Sequence, residues 1–420
     1  MTTLVARLRS GFLGDVLKLS FGTLAGRLIS LIALPVVTRL YSPEDFALLA
    51  IYLALMSPLA VAACLRLEIA IPLVETEREA ADLLTLALAV LALVTALLML
   101  PALLMPGQVA SALGAPALAP YVWLVPLGVA MAGSYSALQA WATRARRFGA
   151  IARTRVGQAV AGVSAMVSLG WAGVAPFGLL LGNMFNIGAG GVSLAASALV
   201  RDGAMLRAVR LRNLAPAFRR NRRYPLFSTP EALFNVAGVQ VPVLLVAAYA
   251  GAEAGFLLLA MQVMSAPMNL LGSSISQVYV SRAPTEYREG RLAPFTLAIM
   301  RRLLLVGVGP LILAGALAPV VFPPLFGPEW ARAGEIVTWL VPWMALQFIA
   351  SPVSMVLHMV GRQNWAMYLQ TAGLAIRGGG VLLAIKFSTD PVVAFALASA
   401  AFYAFYSCVV IVAARSKMST

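Results

Sequence analysis

The chain has 420 residues, of which 61% are apolar and only 11% charged, with a mean hydropathy of +0.89. Soluble domains average about 45–50% apolar and about 25% charged, so a water-soluble fold is excluded and lipid must solvate much of the surface. The net charge of +15 would suit a nucleic-acid partner in a soluble domain. Here the basic residues sit in short connectors, and no soluble basic stretch interleaved with aromatics exists to bind nucleic acid.

An apolar run of ~20 residues crosses the hydrocarbon layer as a helix. In chain order such runs predict spans near 16–38, 46–72, 83–105, 120–142, 156–173, 176–200, 229–249, 254–280, 297–319, 334–358, 366–386 and 391–412. The expected fold class is therefore an all-α integral membrane protein of about 12 transmembrane helices. The basic amino terminus, MTTLVARLRSGFLGDVLKLS, lacks a small-residue cleavage site and reads as a retained first helix. Basic residues crowd the termini and alternate connectors, above all TRARRFGAIARTR (143–155) and RDGAMLRAVRLRNLAPAFRRNRR (201–223). The opposite connectors hold only Arg39, Arg332 and Lys386. Short loops follow the positive-inside bias, so both termini are expected in the cytoplasm.

Helix starts are written at the predicted water interfaces. Ser42-Pro43-Glu44-Asp45, Thr229-Pro230-Glu231 and Asp390-Pro391 each offer an N-cap followed by proline at the first helical position. Trp123 and Trp330 fall near interfaces, where amphipathic rings are expected. The pattern Leu34-Pro35-Val36-Val37 then Met56-Ser57-Pro58 recurs as Val241-Pro242-Val243-Leu244 then Met264-Ser265-Ala266-Pro267. A repeat with six spans on each side of the long basic loop predicts two six-helix lobes, a known transporter architecture. The expected domains are an amino-terminal lobe 1–200, a basic cytoplasmic linker 201–224 and a carboxy-terminal lobe 225–420. The linker's arginines fit either a solvated connector or a surface helix on anionic headgroups.

No catalytic constellation is present. Cys64 and Cys408 each lie in an apolar run and read as small buried hydrophobes, with no metal-ligand spacing. His358 is the lone histidine, and no cofactor motif or phosphate-binding loop occurs, so neither a cofactor nor a metal is expected. The glycines of LGNMFNIGAGG (181–191) suit close helix packing.

The candidate functional groups are ionisable and amide side chains at membrane depth. Arg27 and Arg377 fall near the middle of their spans, and Arg66 and Glu68 in the inner half of the second. Charges at such depth face a bundle interior or a watery cavity. Arg66 and Glu68, two apart on one helix, are expected on nearly opposite faces and unable to pair; Arg66 either serves function or snorkels to the interface. Asn235, Gln240, Gln262, Asn269 and Gln277 add amides, and Pro242 and Ser351-Pro352 free backbone carbonyls and permit kinks.

Four stretches carry a family resemblance: LPVVTRLYSPEDFALLAIYLALMSPL with RLEIAIPL (34–73), RRYPLFSTPEALFNVAGVQVPVLL (222–245), APMNLLGSSISQVYVSRA (266–283) and LFGPEWARAGEIVTWLVPW (325–343). Together they resemble the Wzx-like O-antigen and oligosaccharide flippases of bacterial polysaccharide biosynthesis. That family sits in the multidrug/oligosaccharidyl-lipid/polysaccharide exporter superfamily, with MATE drug exporters and lipid II flippases. One departure is Ala47 where a glycine conventionally follows Phe46. The resemblance implies two lobes around a central cavity that opens alternately to each face of the inner membrane, and an oligosaccharide on an undecaprenyl diphosphate carrier as cargo. It further implies membrane lipids as partners, with polysaccharide polymerase and chain-length proteins as additional candidates. Cationic residues line the cavity in relatives, and Arg27, Arg66 and Arg377 match. A MATE-like cation exporter would need buried acids instead, and a membrane polymerase or glycosyltransferase would need a sizeable outer loop with catalytic groups. The outer connectors near 106–119 and 320–333 are short.

Overall fold

The computed structural model describes residues 2–360 and 362–415, with side chains described from Ser20 onward apart from a few within 266–274 and 358–364. Among the described residues, every regular element is helical. The chain divides into two compact units, Met1–Tyr41 with Ile51–Leu233 and Ser42–Ala50 with Phe234–Thr420.

The first unit contains α1 (Thr2–Leu40), most of α2 (Pro43–Ala62), α3 (Glu77–Leu104), the short α4 (Pro106–Ala112), α5 (Leu124–Arg144), α6 (Phe148–Trp171), α7 (Phe177–Gly188), α8 (Gly190–Arg207) and α9 (Leu211–Arg220). The second contains the start of α2, most of α10 (Thr229–Ala250), then α11 (Glu253–Arg288), α12 (Leu292–Phe326), α13 (Ala331–Ala350), the single turn α14 (Val356–Met359), α15 (Gln363–Lys386) and α16 (Pro391–Arg415). Nine stretches are helical, long and apolar enough to cross a membrane among the described residues. The other three expected spans also form as helices: α5 and α6, of 21 and 24 residues, have more polar sequences, and α11, of 36 residues, is apolar over Glu253–Ser265. The protein is thus an all-α, multi-pass membrane protein.

Two of the expected caps form. Ser42 and Asp45 cap reciprocally: Asp45 N–H donates to Ser42 Oγ at 3.2 Å, and Ser42 N–H donates to Asp45 Oδ2 at 2.9 Å. Asp390 Oδ1 accepts from the N–H groups of Val392 and Val393 at 2.8 and 3.1 Å. The third does not. Residues Tyr224–Ser228 wind as a wide helical turn directly into α10, so Thr229 lies inside a continuous helix. Its hydroxyl donates backwards to the Tyr224 carbonyl at 3.3 Å instead of accepting from the helix start.

Trp330, expected near a water interface, faces neither lipid nor water. It is fully buried, edge-on to Phe46 and Phe256 with centroids 4.8 and 5.8 Å away. Trp123 donates its indole N–H to the Pro120 carbonyl at 3.0 Å. Cys64 is buried, whereas Cys408 is exposed. The side chains of His358 and Asn269 lie outside the described ones.

Glycine sets the tightest helix contacts of the first unit. A Cβ on Gly162 would come within 2.7 Å of the Gly182 carbonyl, and one on Gly182 within 2.7 Å of the Gly162 carbonyl, so α6 and α7 meet backbone to backbone. Without a hydrophobic force between helices in lipid, such close van der Waals packing holds the bundle.

Candidate functional site

In the first unit, Gly22 and Gly26 lie one turn apart on α1 and face α6. A Cβ at Gly22 would sit 2.6 Å from Ala152 Cα, and one at Gly26 2.8 Å from the Arg155 carbonyl oxygen. This small-xxx-small spacing brings the two backbones together as only small residues allow. The approach places Arg27, the next residue on α1, within electrostatic reach of Arg155. Arg27 is exposed and forms no hydrogen bond or ion pair with a described residue. Arg155 Nη2 donates to Gln139 Oε1 at 2.9 Å, and its guanidinium lies 5.0 Å from the Tyr135 ring centroid. No carboxylate neutralises either cation among the described residues. Two cations on helices that meet backbone to backbone, with no acid against either among the described residues, make a place that an anion would satisfy.

Arg155 was not among the expected site residues, because TRARRFGAIARTR read as a connector. Only Ala145 to Arg147 fall outside the helices: α5 runs to Arg144 and α6 starts at Phe148. The signal was present in the spacing. From Phe148 onward the stretch FGAIARTRVGQAV carries no proline, so Arg155 falls on the third turn of a helix, not in solvent.

Arg66 and Glu68 lie where the expected second span breaks. Helix α2 stops at Ala62, and Leu65 and Arg66 adopt left-handed backbone angles (φ 51° and 57°) before a single 3-10 turn over Leu67–Ile69. The expectation that these two charges cannot pair is therefore corrected: Arg66 Nη1 approaches Glu68 Oε1 to 3.7 Å. The opposite-face rule holds for a helix, and no helix runs through these residues. Left-handed angles are costly for residues with a Cβ. Leu67 and Ile71, both fully buried, and Arg144 of α5 offset that cost. Arg144 Nη1 donates to the Ile71 and Val74 carbonyls, Nη2 donates to Glu75 O at 3.2 Å, and Nε pairs with Glu77 at 3.2 Å. Buried Arg66 Nε and Glu68 Oε2 have no hydrogen-bond partner among the described residues.

Also in this unit, a cavity of about 460 Å³ lies between the start of α3 and one face of α9. Its charges balance, Arg78 and Arg220 against Glu79 and Asp82, and Arg220 pairs with Glu79 at 3.2 Å. That pairing fastens α9 to α3.

Arg377, in the second unit, is only 2% exposed. Nη1 donates to the Gly238 carbonyl of α10 at 3.1 Å, and the guanidinium lies 4.3 Å from the Phe402 ring centroid and 5.3 Å from that of Tyr403. On α10, Asn235 is exposed and Gln240 half-buried; on α11, Gln262 is half-buried and Gln277 exposed. None of the four uses its side-chain amide in a hydrogen bond with a described residue. A separate cluster sets Arg332 against three acids: Glu253 at 3.2 Å, Glu335 at 3.0 Å and Asp390. It joins the starts of α11, α13 and α16.

These features define a polytopic helical fold of the type found in multidrug and lipid exporters. Among similar solved structures, the lipid II flippase MurJ in an inward closed conformation superposes with a TM-score of 0.74 at 12% identity, over 95% of this chain and 87% of that one. An inward-facing MATE-family multidrug resistance transporter gives 0.65 at 14% identity, over 96% and 98%. A Pyrococcus furiosus transporter of the same superfamily, described as having a binding pocket of reversed polarity, gives 0.64 at 13%, over 96% and 95%. No curated protein sequence matches significantly. The sequence profile of the polysaccharide biosynthesis protein family matches residues 36–335, and the chain belongs to that family.

Proposed function

We propose that the protein is a flippase that moves an oligosaccharide linked to undecaprenyl diphosphate from the cytoplasmic to the periplasmic leaflet of a bacterial inner membrane, for surface polysaccharide synthesis. It transports by alternating access and leaves its cargo chemically unchanged. The observation that carries this reading is the Arg27–Arg155 pair, two guanidiniums without an acid. A diphosphate linker brings about two negative charges, and guanidinium binds phosphate oxygens bidentately. An exporter of cationic drugs would need the opposite sign at such a place. Arg66, whose Nε is unpartnered, is a second contact for the anionic linker. The exposed or half-buried amides Asn235, Gln240 and Gln262, with Asn269 of the same helices, suit sugar hydroxyls.

A leaflet assay in proteoliposomes tests this directly. A fluorescent lipid-diphosphate-linked saccharide should change leaflets only in vesicles holding the protein, and a lipophilic drug cation should not. Export of the cation with no movement of the lipid would replace this reading with the MATE-like one. A chemically altered lipid product would replace it with an enzyme.

The orientation belongs to the same proposal. The basic asymmetry of the loops supports both termini and the 201–224 segment lying in the cytoplasm. Fluorescent fusions at 215 and 415 should light inside the cell, and phosphatase fusions near 112 and 327 should be active outside it. Phosphatase activity at 215 would invert the topology.

A further inference from the structure

The second unit holds an arginine at a proline, and the two explain each other. Pro242 lies inside α10, which runs from Thr229 to Ala250. A helix-internal proline has no N–H, so the carbonyl four residues earlier loses its donor. That carbonyl belongs to Gly238. In a membrane interior no water replaces the missing bond, so the carbonyl needs a donor from the protein. Arg377 Nη1 lies 3.1 Å from it.

We propose that Arg377 is a positioning residue whose guanidinium replaces the N–H that Pro242 removes, pinning the broken turn of α10 to α15. Three further observations support it. Gly238 admits the guanidinium, because a Cβ there would lie 3.1 Å from Nη1, tighter than ordinary contact. Phe402 and Tyr403 of α16 flank the guanidinium within cation–π range. Gly373 on α15 lets the Phe402 ring approach, since a Cβ there would meet it at 2.9 Å. Arg377 also has no carboxylate partner among the described residues, and its Nε is buried without a partner. Charge pairing with an acid therefore does not account for this arginine; the freed Gly238 carbonyl does, with the Tyr403 hydroxyl as a second polar neighbour. The turn it holds, residues 238–242, contains Gln240 and follows Asn235, so its conformation sets the relative direction of those two amides.

The transport arm of the test rests on the proposed function, whereas the folding arm does not. Four proteins are compared: wild type, Arg377→Ala, Pro242→Ala and the double variant. Each is read by detergent-extracted monodisperse yield and by lipid flipping in proteoliposomes. Arg377→Ala should lower the yield several-fold, the response of cells to a loss of stability. Pro242→Ala restores the N–H of residue 242, so the double variant should recover the yield while flipping several-fold slower than wild type. Wild-type yield for Arg377→Ala, or no recovery in the double variant, would overturn the replacement. Recovered yield with wild-type flipping would overturn the positioning role. If wild type itself flips nothing, the proposed function fails while the yields still decide the Arg377–Pro242 pairing.

Discussion

Arg27 and Arg377 look alike in sequence: each is an arginine in the middle of an apolar span, beside glycine. Their surroundings differ completely. In the first unit, Gly26 draws α1 onto the Arg155 backbone, so a second cation comes close and no acid follows. In the second, Gly238 admits Arg377 to a carbonyl, and two aromatic rings close over it. Depth in the membrane makes a charge expensive in both places. What decides its role is whether the packed helices supply a partner. Arg377 has one, and Arg27 forms no bond or ion pair with a described residue. Arg377 is therefore placed to hold helices, and the proposed contact with an anion falls to Arg27.

The largest effect should come from removing the unneutralised pair. Arg27→Ala with Arg155→Ala should abolish flipping in the proteoliposome assay while leaving extracted yield near wild type. A collapse in yield instead would make the pair structural and erase the contrast with Arg377. Forcing the helices apart comes next. A leucine at Gly26 cannot be accommodated 2.8 Å from the Arg155 carbonyl, so Gly26→Leu should lower both yield and flipping. Wild-type flipping in that variant would show that the α1–α6 approach does not build the site.

Arg27→Lys should retain part of the activity, since the charge survives and the planar fork is lost. Full activity would reduce the site to a point charge. The smallest effect belongs to Arg332→Ala. Its cluster is partly solvated, with a side chain 31% exposed, and exposed ion pairs are screened and weak. A modest drop in melting temperature, shrinking as salt rises, is expected from a thermal melt in detergent. A large, salt-independent drop would give the second unit a dependence on that cluster far beyond what its exposure allows.

Much of the fold was legible because lipid enforces simple rules. Long apolar runs become helices, and the caps at Ser42 and Asp390 formed because a hydroxyl or carboxylate before proline meets free N–H groups. The break after Ala62 was not legible. The irregular segment that follows is held by Arg144, far away in sequence, which serves the carbonyls of Ile71, Val74 and Glu75, and no local pattern announces that. The burial of Trp330 was not legible for a similar reason, since it is set by Phe46 and Phe256 from two other helices. At the site, Arg27 and Arg377 were legible as mid-span charges, but their partners were not. Arg155 was hidden by a basic stretch that reads equally well as an inside-positive loop. The link from Arg377 to Gly238 was half visible, because Pro242 marks a carbonyl in need of a donor without saying which residue provides it.

The account turns on where the anionic linker binds, and a binding measurement in detergent reaches that most directly. Affinity for undecaprenyl diphosphate, read at fixed low salt by native mass spectrometry, should fall at least roughly tenfold in the Arg27→Ala/Arg155→Ala protein, a loss of about 1.4 kcal/mol or more. The Arg377→Ala/Pro242→Ala protein should bind as wild type does. Undiminished binding without Arg27 and Arg155, or its loss with Arg377 alone, would contradict the assignment.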